Sequence, residues 1–269
     1  MPFSRDAETN HQTAKVSSAG QRRNAIVTYV LSQEYASVQD LSRYFTVSMT
    51  TIRNDLAILE KSGLIERQHG GASIPLEDLT GEIAFQARAS MNQEEKKRIG
   101  AAAAALVDDS DTIILDSSTT VFYVARNLKG KRDLRVVTNG INTSLELLKK
   151  QHTTILVGGV LNEKTYGTVG HLGRNTLSEI RVQKAFFGAR GLTLRDGLTD
   201  ANLDEVELKK AMVEIAAELI VVVDSSKFNM VGFASFAPIQ RVSTIVTDDG
   251  IDPTLKRDFE NIGIKVIIA

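Results

Sequence analysis

The chain has 269 residues, 42% hydrophobic and 24% charged, with a net charge of −1 and no cysteine. That length suits two ordinary globular domains, and the lack of cysteine excludes disulfides and thiolate-held zinc and fits a reducing, cytoplasmic setting. No run approaches the roughly 18 apolar residues of a membrane span.

Residues 1–20 are polar and mixed in charge, without the apolar stretch of a signal peptide, and read as a disordered extension. Residues 21–33 predict a first helix with Ile26, Val27, Val30 and Leu31 on one side. Arg22 and Arg23 near its start oppose the helix dipole, which a bound phosphate or plain solvation would relieve. Residues 37–45 predict a short helix. After a tight turn at Thr46-Val47, residues 47–63 predict another, with Ser48 as N-cap, Ile52, Leu56 and Leu59 at helical spacing and Gly63 at its end. The pair makes a helix-turn-helix at about 36–55. Its second helix would offer Ser48, Thr50, Thr51, Arg53 and Asn54 to phosphates and base edges in a DNA major groove; a helical hairpin in an ordinary core is the alternative. Residues 64–72 alternate and then reach Gly70-Gly71, the pattern of a β-hairpin wing that would set Arg67 and His69 on the sugar-phosphate backbone. Residues 21–72 hold six Lys/Arg against five Asp/Glu. Binding to double-stranded DNA would therefore rest on placed contacts and on dimerisation, not on a general basic field.

Gln21-Arg22-Arg23, the Thr51-Ile52-Arg53-x-Asp55-Leu56 core and Gly63-Leu64-Ile65-x-Arg67-x-x-Gly70-Gly71-Ala72 resemble the winged helix of DeoR-family transcriptional regulators. The resemblance implies an N-terminal DNA-binding domain at 21–74 coupled to a C-terminal sugar-phosphate sensor. The family usually has two successive arginines before the reader-helix Asp, and here the second is Asn54. That exchange would remove a phosphate or guanine contact and favour adenine.

Residues 75–92, with Pro75, several acids and Gly81, read as a linker, and 93–269 as the second domain. Phe85-x-x-Arg88 with Glu95-Lys96 and Ile99 resembles the start of the family's sensor; Arg88 and Lys96 are read as a solvated face. Residues 93–107 predict an alanine-rich helix. Beyond it, short apolar strands at 112–115, 134–137, 154–157, 185–187, 219–223, 244–247 and 265–268 alternate with helices at 121–128, 141–149, 174–179, 203–218 and 253–261. This is an α/β pattern, a doubly wound and mainly parallel sheet, whose ligands sit beyond the carboxyl ends of the strands.

Polar residues collect at those ends. Asp116-Ser117-Ser118-Thr119-Thr120 follows a strand and opens a helix, and four hydroxyls beside free helical N–H groups suit a phosphate; an N-cap with spare hydroxyls is the plain alternative. Thr138-Asn139 and Gly158-Gly159 end the next two strands and are expected in the same crevice. Gly188 and Arg190 follow the fourth, and Lys227 follows the fifth, where an ammonium suits a phosphate. Tyr166 to Gly170 is a further glycine-rich loop. This block resembles the sensor of the same regulators, whose sheet is similar to that of ribose-5-phosphate isomerase; Glu207 and Lys209 also match the family.

A second departure is Arg190, where the family commonly has Asp or Asn. A guanidinium there would favour a more anionic effector, such as a phosphorylated sugar acid or a bisphosphate, unless it pairs with Asp196 or Asp200. The function implied is a repressor of carbohydrate use, dimeric or tetrameric, released from its operator by a phosphorylated sugar or sugar acid, with no cofactor or metal. The rival is an isomerase or deaminase using Asp116, Glu207 or Asp224 as base.

Overall fold

The computed structural model describes residues 19–33, 35–61, 64–68, 70–74 and 79–269. His69, Gly63 and Pro75 therefore lie outside the described residues, as do residues 1–18 of the expected extension and the side chain of Leu31. The chain divides into two compact units between Leu79 and Thr80.

The first unit comprises α1 (Ala19–Gln33), β1 (Tyr35–Ser37), α2 (Val38–Phe45), α3 (Met49–Lys61), β2 (Glu66–Gln68) and β3 (Gly71–Ser73). Ala19 and Gly20, expected in the extension, belong to the first turn of α1. Ser37 both ends β1 and caps α2, its Oγ accepting from Asp40 N at 3.0 Å. Thr46 closes α2 in the left-handed region at φ 54°, and α3 begins at Met49. Ser48 Oγ accepts from Thr51 N at 3.1 Å, satisfying one of the free donors of the first turn. Ile26, Val30, Leu41, Ile52 and Leu56 form the fully buried core beneath the helices. The wing is antiparallel, and β1 adds a third strand in the order β1-β3-β2. Gly71 is required there, since a Cβ would lie 2.3 Å from Ala36 O.

The second unit opens with α4 (Gly81–Ser90), α5 (Gln93–Ala104), β4 (Thr112–Leu115), α6 (Thr119–Asn127), β5 (Arg135–Thr138), α7 (Ile141–Leu148) and β6 (Thr153–Leu156). It continues through β7 (Val160–Asn162), β8 (Gly167–Val169), α8 (Leu172–Ser178), β9 (Val182–Phe187), β10 (Gly191–Thr193), β11 (Gly197–Asp200) and α9 (Leu203–Glu214). It closes with β12 (Ala216–Val222), β13 (Ala234–Ala237), β14 (Val242–Thr247), α10 (Pro253–Asn261) and β15 (Lys265–Ile268).

A seven-stranded sheet in the order β15-β14-β12-β9-β4-β5-β6 is parallel throughout. Both faces are buried, with Ile114, Phe187 and Val221 in one core and Ile113, Phe186 and Ile220 in the other. Burial on both sides makes the strands near-continuous apolar runs rather than alternating ones. From β4 the chain winds towards β6, and from β9 towards β15, so the switch of direction falls between β4 and β9. Ligands of doubly wound sheets lie at such a switch.

Three expectations change. The linker 75–92 gives way to a helix, α4, over its second half. The helix expected over 203–218 ends at Glu214, because Ala216 and Glu218 pair with Val182 and Lys184 as the start of β12; sheet pairing overrides the helix propensity of Ala and Glu. The β7–β8 hairpin and the antiparallel sheet β10-β11-β13 were not foreseen.

Candidate functional site

Ser48, just before α3, and Thr50, Arg53 and Asn54 on it are exposed, and Thr51 is half-buried. Met49 and Ile58, 47% and 51% exposed, share that surface and went unread. Arg67 is exposed on β2. Arg22 is placed otherwise than expected. Its Nε donates to Asp55 Oδ2 at 2.6 Å, and Arg23 lies 3.6 Å from the other oxygen. Asp55 is buried. The arginine charge thus compensates a carboxylate taken out of water, tying α1 to the inner side of α3. A sequence separation of 33 residues hid the pair.

In the second unit a cavity of about 190 Å³ lies beyond the carboxyl ends of β4, β9 and β12. Seven expected residues line it, namely Ser117, Ser118, Thr119, Thr120, Gly188, Arg190 and Lys227. Ser118 caps α6, accepting from Val121 N at 3.3 Å, which leaves the N–H groups of Thr119 and Thr120 at the positive end of the helix. Gly188 permits the close approach of β9, since a Cβ would lie 2.4 Å from Ser118 Oγ.

Five expected residues do not line it. Asp116 is fully buried behind the lining, accepting from Ser118 N at 2.9 Å and Gly188 N at 3.1 Å. Thr138 accepts from Gly140 N, and Asn139 Nδ2 donates to Thr168 O at 2.9 Å. The β7–β8 hairpin fills the space beyond β5 and β6, with Thr168 bonded to Asn139 O and Val157 O. Gly158 and Gly159 lead into that hairpin and so stay out of the crevice.

Residues outside the expected effector set complete the site. Arg88 and Lys96 are the clearest correction. Lys96 is 5% exposed, its Nζ donates to Arg88 O, and both line the cavity. Burial pushes Lys96 down to about 8, against the pull of Asp224. Arg88 Nη2 is buried and has no hydrogen-bond partner among the described residues. Lys209 is enclosed by Asp200 at 2.7 Å and Asp116 at 3.1 Å, with its Nζ 4.9 Å from the Phe236 ring centre. Burial opposes its charge, but Asp200, Asp116 and Glu205 outweigh that and raise its pKa. Glu205 is pushed above the ordinary carboxylate range by burial, with Lys209 opposing. Its Oε1 and the nearby Thr165 Oγ1 make no well-formed hydrogen bond among the described residues. Arg190 pairs with neither candidate; Asp200 holds Lys209, and Asp196 accepts from Thr193 Oγ1 at 3.1 Å.

Two family models cover the chain, a DeoR-like helix-turn-helix domain over residues 22–77 and a DeoR C-terminal sensor domain over 91–249. The chain belongs to the DeoR family of transcriptional regulators. As a DeoR-family chain it is 36% identical to the HTH-type transcriptional regulator GolR of Listeria innocua, across 93% of this chain and 98% of that one. It is 33% identical to the glycerol-3-phosphate regulon repressor of Escherichia coli, across 85% and 90%. Among solved structures, ribose 5-phosphate isomerase from Plasmodium falciparum matches with a TM-score of 0.38 and 18% identity, over 49% of this chain and 52% of that one.

Proposed function

We propose that this DeoR-family regulator represses a carbohydrate-utilisation operon and leaves its operator when a phosphorylated sugar or sugar acid fills the cavity. The buried atoms Arg88 Nη2, Glu205 Oε1 and Thr165 Oγ1, none with a well-formed hydrogen bond among the described residues, carry the reading. Buried polar atoms are seldom left unsatisfied, and a polyhydroxylated anion would satisfy all three. The phosphate goes to Ser117–Thr120 at the start of α6, with Lys227 and Lys96 as countercharges. Thr50, Thr51, Arg53 and Asn54 read the major groove, aided by Ser48, while Arg67 meets the backbone. Arg22 orients α3 through Asp55. One winged helix reads few base pairs, so the operator form is at least a homodimer, or a homotetramer, in the cytoplasm. Effector binding acts through unequal affinity for two arrangements of the chain.

A thermal melt across phosphorylated sugars and sugar acids tests this. A ligand of the folded state at a hundredfold excess over its Kd adds about 2.7 kcal/mol. The expected hit is lost in Ser118→Ala or Lys227→Ala and releases the protein from its operator; no shift with any compound would remove the sensor reading. The isomerase reading has one observation in its favour, the buried Glu205 Oε1 without a well-formed hydrogen bond, since Asp116 and Asp224 are engaged and Glu207 is exposed. Turnover of the hit would support it. On the DNA side, Asn54→Arg should shift preference in a randomised operator library from adenine to guanine at one position, and an unchanged preference would take Asn54 out of the base-reading set.

A further inference from the structure

Arg88 and Arg190 come from distant parts of the chain, the last turn of α4 and the loop after β9, yet both line the cavity and Arg190's charge is felt at Arg88. Two guanidiniums in one small space repel each other, and desolvation makes this worse at the more buried Arg88. Glu205 and Asp200 attract Arg88 more strongly than Arg190 repels it, but neither is close enough to pair with it. Asp200 is held at 2.7 Å by Lys209, and Glu205 lies beyond ion-pair distance of both arginines among the described residues. Arg88 Nε uses only a carbonyl of its own helix, Ala84 O at 3.3 Å, leaving Nη2 unused. The other cations are disposed differently. Lys96 and Lys227 act on each other and on Asp224, which is bonded to Asn92 and Ser226. The lysines thus gather about Asp224, and Arg88 lies nearer Glu205 and Asp200, while Lys96 and Arg88 are close enough to repel each other.

One phosphate at the start of α6 answers the lysines and the helix terminus. It leaves Arg88 with a buried unused donor and both arginines without an ion pair among the described residues. Resting on the sensor reading above, we infer that the effector carries a second anionic group, a carboxylate or a second phosphate, held by Arg88 and Arg190. The planar guanidinium fork suits either, because both present paired oxygens. Between the two anions, Glu205 and Thr165 offer an acceptor and a hydroxyl to the effector's own hydroxyl groups.

The experiment is calorimetric titration of the full chain with glucose phosphate, phosphogluconate and fructose bisphosphate. The bis-anionic compound that fits should bind at least about tenfold more tightly than glucose phosphate, a difference of about 1.4 kcal/mol. Which of the two does so tells carboxylate from phosphate. In Arg190→Gln that ratio should fall towards one. It should also fall in Arg190→Lys, which keeps the charge and loses the fork, so a general electrostatic field is distinguished from a bidentate contact. Arg190 is exposed, so these variants should fold even if Arg88→Gln does not. Equal binding of all three compounds by the parent chain, or a ratio unchanged in Arg190→Gln, would overturn the second-anion site while leaving the sensor reading in place. Failure of every phosphorylated compound to bind would remove both.

Discussion

The two ends of the seven-stranded sheet treat buried charge in opposite ways. At the amino end, Lys184 on β9 donates to Asp108 at 2.7 Å, Asp111 at 2.8 Å and Leu106 O at 2.8 Å, so every proton of its ammonium is used. At the carboxyl end Lys209 is as fully engaged, but around it Arg88, Glu205 and Thr165 carry polar atoms with no partner among the described residues. A satisfied buried cluster rigidifies a scaffold, whereas an unsatisfied one costs stability until something binds. The carboxyl end is thus built in two layers. An inner layer of Asp116 and Lys209 holds β4, β9 and α9 together, and an outer layer waits on a ligand.

Lys209→Met tests the inner layer and should have the largest effect. Leaving Asp116 and Asp200 unpaired should cost about 3–5 kcal/mol in urea unfolding; a loss below about 1 kcal/mol would show that the inner layer does not brace the fold. Next comes pH. Lys96 loses its proton near 8 in the effector-free chain, so affinity for a phosphorylated effector should fall as pH rises, by up to about tenfold between pH 8 and 9, with proton uptake on binding. An affinity flat from pH 7 to 9 would take Lys96 out of the site. The same depression means the unfolded chain holds this proton longer. Lys96 should therefore make the effector-free chain more stable as pH climbs from about 8 towards 10.5. Lys184→Met at the amino end should cost less than Lys209→Met, because Asp108 is 80% exposed and water replaces that pair, while Asp111, 11% exposed, keeps the Asp108 N–H. Equality with Lys209→Met would erase the contrast between the ends. The smallest effect is expected from Glu205→Gln, which should change effector-free stability by no more than about 0.5 kcal/mol while weakening effector binding. A large loss of stability would make Glu205 part of the scaffold instead.

The legible half of the site was the half carried by contiguous residues. Ser117 to Thr120 stand together after an apolar strand, and that placement needs only the rule that strand ends face ligands. Thr138, Asn139, Gly158 and Gly159 obey the same rule and still miss the cavity, because a hairpin of two three-residue strands fills the space beyond β5 and β6. Arg88 sits in what reads as a linker, and Lys96, Glu205 and Lys209 in helical stretches whose sequence does not show which side turns inward. Only the packing of α4, α5 and α9 over the sheet turns those faces inward. The pairing of Arg22 was hidden for the same reason, its partner Asp55 lying on another helix.

By itself the sequence determined the helix-turn-helix, the seven apolar strands with most of their intervening helices, and the family to which the chain belongs. These follow from local signals: caps, helical spacing, and strands apolar enough to be buried on both faces. The tertiary structure alone decided the strand order, the switch between β4 and β9, and which charges are paired and which are not. A charge's role depends on what lies within about 4 Å of it, and in this chain those neighbours come from residues far apart in sequence.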